Sequence, residues 1–351
     1  MKLIFFAKGD RKLPSARTRA WMLADYLVNT GHDAVCYHVK TRPWWEVSVA
    51  RIRENWRNAR LLLAASRADI VFLQRTVHQL DFIVLVLLRR FILGRGYVFD
   101  FDDAIFLEKG ASGTKVPLML RYADTVFTSS DSLKEYADRY NKHVYIVSAA
   151  LDTDKVYTRR TELDRDVVVI GWTGTPVHLE NMMLVVPALT RLAAEAAPIQ
   201  MELLGGGDDI AALFKSVPHL KLVAHSFPPS AAIWTDTKEV VKYLHNFDIG
   251  LMPLQPTEWN KGKDAWKAKE YMACSIAAAV SAWGENPKVI REGENGVLVD
   301  DDEWYYKLKH LVEDEAYRKR IAQGGRDYIE KFYSYKALTG QMLSRIQDEK
   351  R

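Results

Sequence analysis

Two lysines and a glutamate at helical spacing offer the most specific chemistry in the chain. In Gly262-Lys263-Asp264-Ala265-Trp266-Lys267-Ala268-Lys269-Glu270, the residues Lys263, Lys267 and Glu270 stand at i, i+4 and i+7. On a helix these positions share one face. Two cations near a helix N-terminus would neutralise a diphosphate leaving group. A carboxylate one turn further on would accept hydrogen bonds from ribose hydroxyls. The alternative is a solvated face of Lys–Glu pairs, and Lys261 and Lys269 are read in that way. Trp259 and Trp266 flank the segment; large aromatics on an otherwise polar face favour a site.

A second group is acidic. Asp100, Asp102 and Asp103 gather in Tyr97-Val98-Phe99-Asp100-Phe101-Asp102-Asp103-Ala104-Ile105, where an apolar strand ends. Mutual repulsion raises at least one of their pKa values unless a cation or donor hydroxyls compensate. Hydroxyl binding, stabilisation of an oxocarbenium-like centre and metal binding are the functional options; capping of the next helix by Asp102 or Asp103 is the structural one. Two glycine-rich stretches follow predicted strands: Ile170-Gly171-Trp172-Thr173-Gly174-Thr175-Pro176, and Gly205-Gly206-Gly207. Both fit either a tight turn or the close approach of backbone to phosphate. The loop after the first strand holds Ser15, Arg17 and Arg19, suited to phosphate or acceptor contact or to plain surface charge. The stretch 42–67 carries Arg42, Trp44, Trp45, Arg51, Arg53 and Trp56 among further arginines. With Arg89 and Arg90 it suits an anionic bilayer; the helical recurrence of Trp45, Val49, Ile52 and Trp56 fits a core face equally well.

These residues need elements to hold them. Apolar runs at 3–7, 34–39, 70–74, 97–101, 125–129 and 144–148 read as strands, with helices over 17–29, 82–93 and 132–140 between them. Gly31 reads as a helix C-terminal cap. After a polar connection at 152–166, a second series begins. Strands are expected at 167–171, 200–204, 220–224, 249–253, 277–281 and 296–299. Helices are expected at 179–197, 263–273, 303–313 and 316–332, with one more from 335. Strands alternating with helices imply parallel βαβ units. The fold class is therefore α/β, with two Rossmann-like doubly wound domains facing a cleft: residues 1–150, and residues 165–334, with helix 335–351 packing back on the first. Ligands of such sheets sit at the carboxyl ends of the strands.

The composition agrees. The 351 residues are 48% hydrophobic and 27% charged, the balance of a globular protein long enough for two cores. A net charge of +4 is too small to argue for nucleic acid. Cys36 and Cys274 form no paired motif, so neither a disulfide framework nor a structural zinc is expected, and the compartment is read as reducing and cytoplasmic. The run Met1–Ala7 breaks at once into Lys8-Gly9-Asp10-Arg11-Lys12, which fits a first strand rather than a signal peptide. No stretch reaches the roughly 18 apolar residues of a membrane span. GxSxG, HExxH and Walker A sequences are absent.

The chain resembles glycosyltransferase family 4, the retaining GT-B enzymes, over nearly its whole length. The resemblance is strongest from Phe247-Asp248-Ile249-Gly250-Leu251-Met252-Pro253-Leu254 to Lys263 and on to Glu270-Tyr271-Met272-Ala273, and includes Gly293-Glu294-Asn295-Gly296 and Gly325-Arg326-Asp327-Tyr328. Phe99-Asp100-Phe101-Asp102-Asp103-Ala104-Ile105 and Gly171-Trp172-Thr173-Gly174 resemble one subgroup. The resemblance implies a nucleotide diphosphate sugar donor on the C-terminal domain and a glycan, lipid-linked or small-molecule acceptor on the N-terminal one. It implies retention of configuration and neither metal nor cofactor. In the family a pair of glutamates lines the donor site; Glu270 matches the second, ribose-binding one, and Gly262 stands at the place of the first. The family's Arg and Lys for the diphosphate are replaced by Trp172-Thr173-Gly174, which passes the charge role to Lys263 and Lys267. Asp102, with Asp103 beside it, corresponds to the family's N-domain histidine. Gly171, Trp172, Thr173, Gly174 and Gly205 would line the donor. Three rivals stay open: a silent binding or scaffold subunit, a nucleotide-sugar 2-epimerase, and a metal-dependent enzyme using Asp100-x-Asp102.

Overall fold

Five of the six residues of Lys2–Ala7 (β1) are buried. An apolar run without alternation belongs inside a parallel sheet covered on both faces, and β1 lies there. In the computed structural model, which describes residues 1–40, 46–77, 80–108, 111–161, 163–195, 198–228 and 230–348, it pairs in parallel with Asp33–His38 (β2) on one side and Ile70–Gln74 (β3) on the other. Val98–Phe101 (β4), Thr125–Thr128 (β5) and Val144–Ile146 (β6) complete a six-stranded sheet in the order β2-β1-β3-β4-β5-β6. This sheet belongs to a unit made of Met1–Ala150 and Leu338–Arg351.

The other unit, Leu151–Ala337, is built on Val168–Gly174 (β7), Ile199–Gly205 (β8), Lys221–His225 (β9), Ile249–Met252 (β10), Ala277–Ser281 (β11) and Val297–Val299 (β12). Its order is β12-β11-β10-β7-β8-β9, which in chain order is the classical doubly wound arrangement. Trp172, Leu189, Met201, Phe214, Leu251 and Leu308 are among its core side chains.

Each sheet reverses direction at one place. In the first unit the reversal falls between β1 and β3; in the second, between β7 and β10. Loops leave the carboxyl ends of such neighbours in opposite directions and open a crevice there. The candidate residues of each unit gather at these two places.

Several expectations change. The first helix starts earlier, with a turn at Pro14–Ala16, and passes through a π-helical stretch, Arg17–Trp21, into Met22–Asn29; Gly31 follows it at φ +88°. The helix expected at 179–197 is two, Leu179–Met183 and Val186–Ala194, because Pro187 suits the first turn of a new helix and not the interior of an old one. Val49–Ala64 is a helix capped by Ser48, which accepts a hydrogen bond from Arg51 N. Its Val49, Ile52 and Trp56 are 66%, 60% and 68% exposed, so they are not core; Arg42, Trp44 and Trp45 lie outside the described residues. Ala111–Tyr122, Gly207–Lys215 and Thr237–Leu244 are further helices, outside the segments expected to be helical. Among the described residues no helix is long and apolar enough to cross a membrane.

Candidate functional site

The second unit's site starts with β7. The strand runs on to Gly174, so Trp172 and Thr173 are strand residues rather than the turn expected from Gly171 onward. Gly171 is required by packing, because a Cβ there would lie 2.0 Å from the Phe247 ring. A Cβ on Gly174 would meet the Trp172 ring at 2.4 Å, and one on Gly205 would meet Gly174 O at 2.3 Å. Gly205 also has φ +85°, a conformation costly for any residue with a Cβ. Thr173 N donates to Tyr271 Oη at 3.2 Å, and Tyr271 Oη donates to Leu251 O at 3.2 Å. One phenol thus ties the ends of β7 and β10 to the helix that carries Glu270.

The helix Trp266–Ala273 starts later than its sequence pattern implies, because Ala265 takes φ +49°. Lys263 therefore stands in the loop before it and does not share a helix face with Lys267 and Glu270. A short turn, Glu258–Lys261, precedes that loop and is capped by Thr257, which accepts from Asn260 N. Asn260 Nδ2 donates to Asn181 Oδ1 at 2.9 Å, Gln255 N donates to the same oxygen at 2.8 Å, and Lys263 N donates to Asn260 O at 3.1 Å. These bonds hold the loop against the segment that follows β7.

Both lysines nevertheless act on one residue, His178. Lys267 Nζ lies 3.5 Å from His178 Nε2, and Lys267, burial and Lys263, in that order, push the His178 pKa down to about 2. The charge of Lys267, burial and the charge of Lys263 keep the imidazole neutral. Trp172 forms the floor: its ring lies 5.9 Å from Lys267 Nζ and stands edge-on to His178 at 6.2 Å. Positive charge is thus concentrated just beyond the carboxyl ends of β7 and β10, above the buried Trp172 ring.

Glu270 is buried, and Tyr157 Oη donates to its Oε1 at 2.7 Å. Tyr157 comes from the polar connection and is itself fully buried, edge-on to Trp266 at 6.3 Å. Arg326 fixes that connection by donating to Thr153 O at 2.7 Å and to the carbonyls of Tyr157 and Ala273. Lys269 is not solvated as expected: it is fully buried, pairs with Asp264 Oδ1 at 2.7 Å and lies 5.1 Å from the Tyr333 ring. Its role is to anchor the start of the Glu270 helix. Lys261 is exposed.

The first unit has its own cluster at the ends of β1, β3 and β4. Asp100 is fully buried and is held by Arg19, whose Nε donates to Oδ2 at 2.8 Å while Nη2 reaches the other oxygen. Arg19 Nη2 also donates to Val147 O at 2.9 Å. Arg19 therefore serves the interior, and Asp100-x-Asp102 does not present two open carboxylates to a cation. Arg17 is likewise buried and donates to Arg11 O at 3.3 Å. Ser15 Oγ accepts from Arg75 Nη1 at 3.3 Å and from Gln74 Nε2 at 3.4 Å.

Arg75 organises the rest. It follows β3 at φ +51°, strained for a residue with a long side chain. From there its Nη1 lies 2.6 Å from Asp103 Oδ2 and 3.5 Å from Asp102 Oδ1, and its Nη2 lies 3.7 Å from Glu108 Oε1. Asp102 Oδ1 is buried and makes no hydrogen bond among the described residues. Burial, with the neighbouring Asp103 and Asp100, pushes the Asp102 carboxyl up to about 7 against the pull of Arg75 and Arg19. Lys8, just past β1, is lowered to about 8 by burial and by Arg75. Neither Asp102 nor Asp103 caps the following 3₁₀ turn, Ile105–Leu107, with its side chain. Among the described residues no group of three or more His, Cys, Asp or Glu is arranged to hold a metal ion.

Lys8, Arg75, Tyr157, His178 and Asp264 escaped the sequence reading. Lys8, Arg75 and His178 stand within four residues of a strand end, which is the signal that would have found them.

Residues 164–314 match the family model described as glycosyl transferases group 1, a match that places the second unit in the glycosyltransferase class. No curated protein matches the sequence. Sucrose-phosphate synthase from Thermosynechococcus elongatus is similar in structure at 12% identity and TM-score 0.71, with 99% of each chain covered. A glycosyltransferase from Rickettsia africae ESF-5 is similar at 12% identity and TM-score 0.72, covering 100% of this chain and 99% of its own. HepE from Anabaena, solved with UDP-glucose, is similar at 12% identity and TM-score 0.71, covering 99% of this chain and 100% of its own. The fold is GT-B, two Rossmann-like domains in one chain.

Proposed function

We propose that the chain is a retaining glycosyltransferase that takes a sugar from a nucleotide diphosphate donor held on its second unit and passes it to a glycan, lipid-linked or small-molecule acceptor. The observation that carries this is Lys267, 3.5 Å from His178 Nε2, with Lys263 in the loop just before its helix, at the reversal point of the second sheet. HepE, with the same fold, is described in complex with UDP and with UDP-glucose, which supports a donor of that class.

In this account Lys263 and Lys267 receive the diphosphate. Breaking the bond between the anomeric carbon and the β-phosphate oxygen leaves negative charge on that oxygen, and ammonium groups fixed beforehand stabilise it without reorganisation. The account needs no metal ion, because the lysines supply the charge. Glu270, oriented by Tyr157, takes the ribose hydroxyls. Asp102 and Asp103 are assigned to the acceptor hydroxyl or the transferred sugar, as are Ser15 and Arg75 through their contact with each other. The buried pairing of Asp100 with Arg19 disfavours the rival that uses Asp100-x-Asp102 as a metal site.

A thermal-shift screen with nucleoside diphosphates and their sugars tests the account, since a ligand of the native state stabilises by mass action. At least one diphosphate or diphosphate sugar is expected to raise the melting temperature. Indifference to all of them would overturn the assignment of a donor site.

A further inference from the structure

Helices Val49–Ala64 and Leu80–Leu93 pack side by side in the first unit. They are joined near their N-termini by Asp81, which accepts from Arg51 Nη2 at 2.7 Å and from Asn55 Nδ2 at 2.7 Å. Leu62, Phe82, Ile83 and Val86 supply the buried sides. A surface helix normally turns polar residues outward. Here the outward stripes are apolar: Ile52, Trp56 and Leu63 on one helix and Leu88, Phe91 and Ile92 on the next are all at least 47% exposed. Their spacings of four, seven, three and one are those of single helix faces. Exposed apolar stripes on neighbouring helices mark an interaction site.

The charges around the stripes are mostly positive. Residues 49–67 hold five arginines against a single acid, Glu54, and Arg53, Arg60 and Arg67 are exposed. Arg95 is exposed at the end of the second helix. A two-fold contact between copies of the chain would set this basic rim against its own image, which electrostatics opposes. An anionic bilayer offers both required halves, hydrocarbon for the stripes and negative headgroups for the guanidinium groups.

We propose that this face docks the protein on the surface of an anionic lipid bilayer, with the two helices lying in the interface plane. Ile52, Trp56, Phe91 and Ile92 enter the acyl boundary, and Arg53, Arg60 and Arg95 meet lipid phosphates. The contact is independent of the donor site, so its failure would leave the glycosyltransferase account untouched.

The test is co-sedimentation of the full chain with vesicles of phosphatidylcholine alone and of phosphatidylcholine with phosphatidylglycerol, at low and high salt. Wild type should bind the anionic vesicles roughly tenfold more tightly than the neutral ones, and high salt should weaken that binding. Ile52→Glu with Trp56→Glu should lower binding to anionic vesicles by about tenfold or more. Arg53→Glu with Arg60→Glu should abolish the preference for anionic lipid. All four positions are exposed, so both variants should keep the wild-type circular-dichroism melt; should one unfold, the other variant and the lipid and salt series on wild type decide. Absence of binding to either vesicle, equal binding to both, or unchanged binding in a folded variant would overturn the proposal. So would a wild-type dimer in equilibrium sedimentation that Trp56→Glu converts to monomer, since the face would then be a protein contact.

Discussion

Replacing Lys267 by Met should move the titration of His178 by several pH units. Lys267 Nζ and His178 Nε2 are 3.5 Å apart. At an effective dielectric constant of about 20, two unit charges at that distance repel by about 5 kcal/mol, equivalent to roughly 3 pH units or slightly more. That is most of the displacement of His178 from 6.5 to about 2, in which Lys267 is the largest cause. In Lys267→Met, burial and Lys263 still act, so His178 should titrate roughly 3 units above its wild-type value and still below 6.5. The sign of the linked stability follows. A histidine whose folded-state pKa is depressed contributes full stability above its unfolded pKa and loses it as pH falls. In wild type, His178 alone should account for a loss of about 2 kcal/mol between pH 8 and pH 5. NMR of the imidazole ring protons reads the titration directly, with His178→Gln to assign the signal. Adding a nucleoside diphosphate to wild type should raise the His178 pKa as well, because the anion neutralises the same ammonium groups. A wild-type His178 that titrates near 6.5, or one that Lys267→Met leaves unmoved, would refute the electrostatic picture of the site.

Other substitutions probe the scaffold and the first unit. Gly171→Ala puts a Cβ 2.0 Å from the Phe247 ring and should destabilise the chain by about 1–3 kcal/mol, seen in urea unfolding. Arg19→Leu strands Asp100 in the interior and should cost about 3–5 kcal/mol in the same measurement, with Asp100→Asn recovering part of it. Where transfer requires the Asp102 carboxylate, its pKa of about 7 predicts that kcat/KM falls as pH drops through 7, and that Asp102→Asn removes this limb of the profile.

The alternation of strands and helices was legible because both sheets are parallel, and parallel strands read as unbroken apolar runs. Strand ends were less so. β7 runs on through Trp172 and Thr173 because the Trp172 ring packs under Gly174 and Gly206, a three-dimensional fact with no local signature. Lys263 and Lys267 were picked out by charge and spacing, but the left-handed Ala265 takes Lys263 off the helix. What Lys267 meets is His178, a residue from the turn after β7. Lys269 was misread because a lysine on a charged stretch looks solvated; its pairing with Asp264 depends on the turn that Ala265 makes. Arg19 was read as a ligand contact for a similar reason, since nothing in its own neighbourhood shows that Asp100, far along the chain, lies against it.

Preference for diphosphate over monophosphate, measured calorimetrically for each nucleoside on wild type and on Lys263→Ala with Lys267→Ala, bears most directly on the central claim. Charged hydrogen bonds contribute about 1.5–3 kcal/mol each. Wild type should therefore bind the preferred diphosphate at least about tenfold more tightly than its monophosphate, and the double variant should bring the two affinities close together. A wild type indifferent to the second phosphate, or a double variant that keeps the preference, would contradict it.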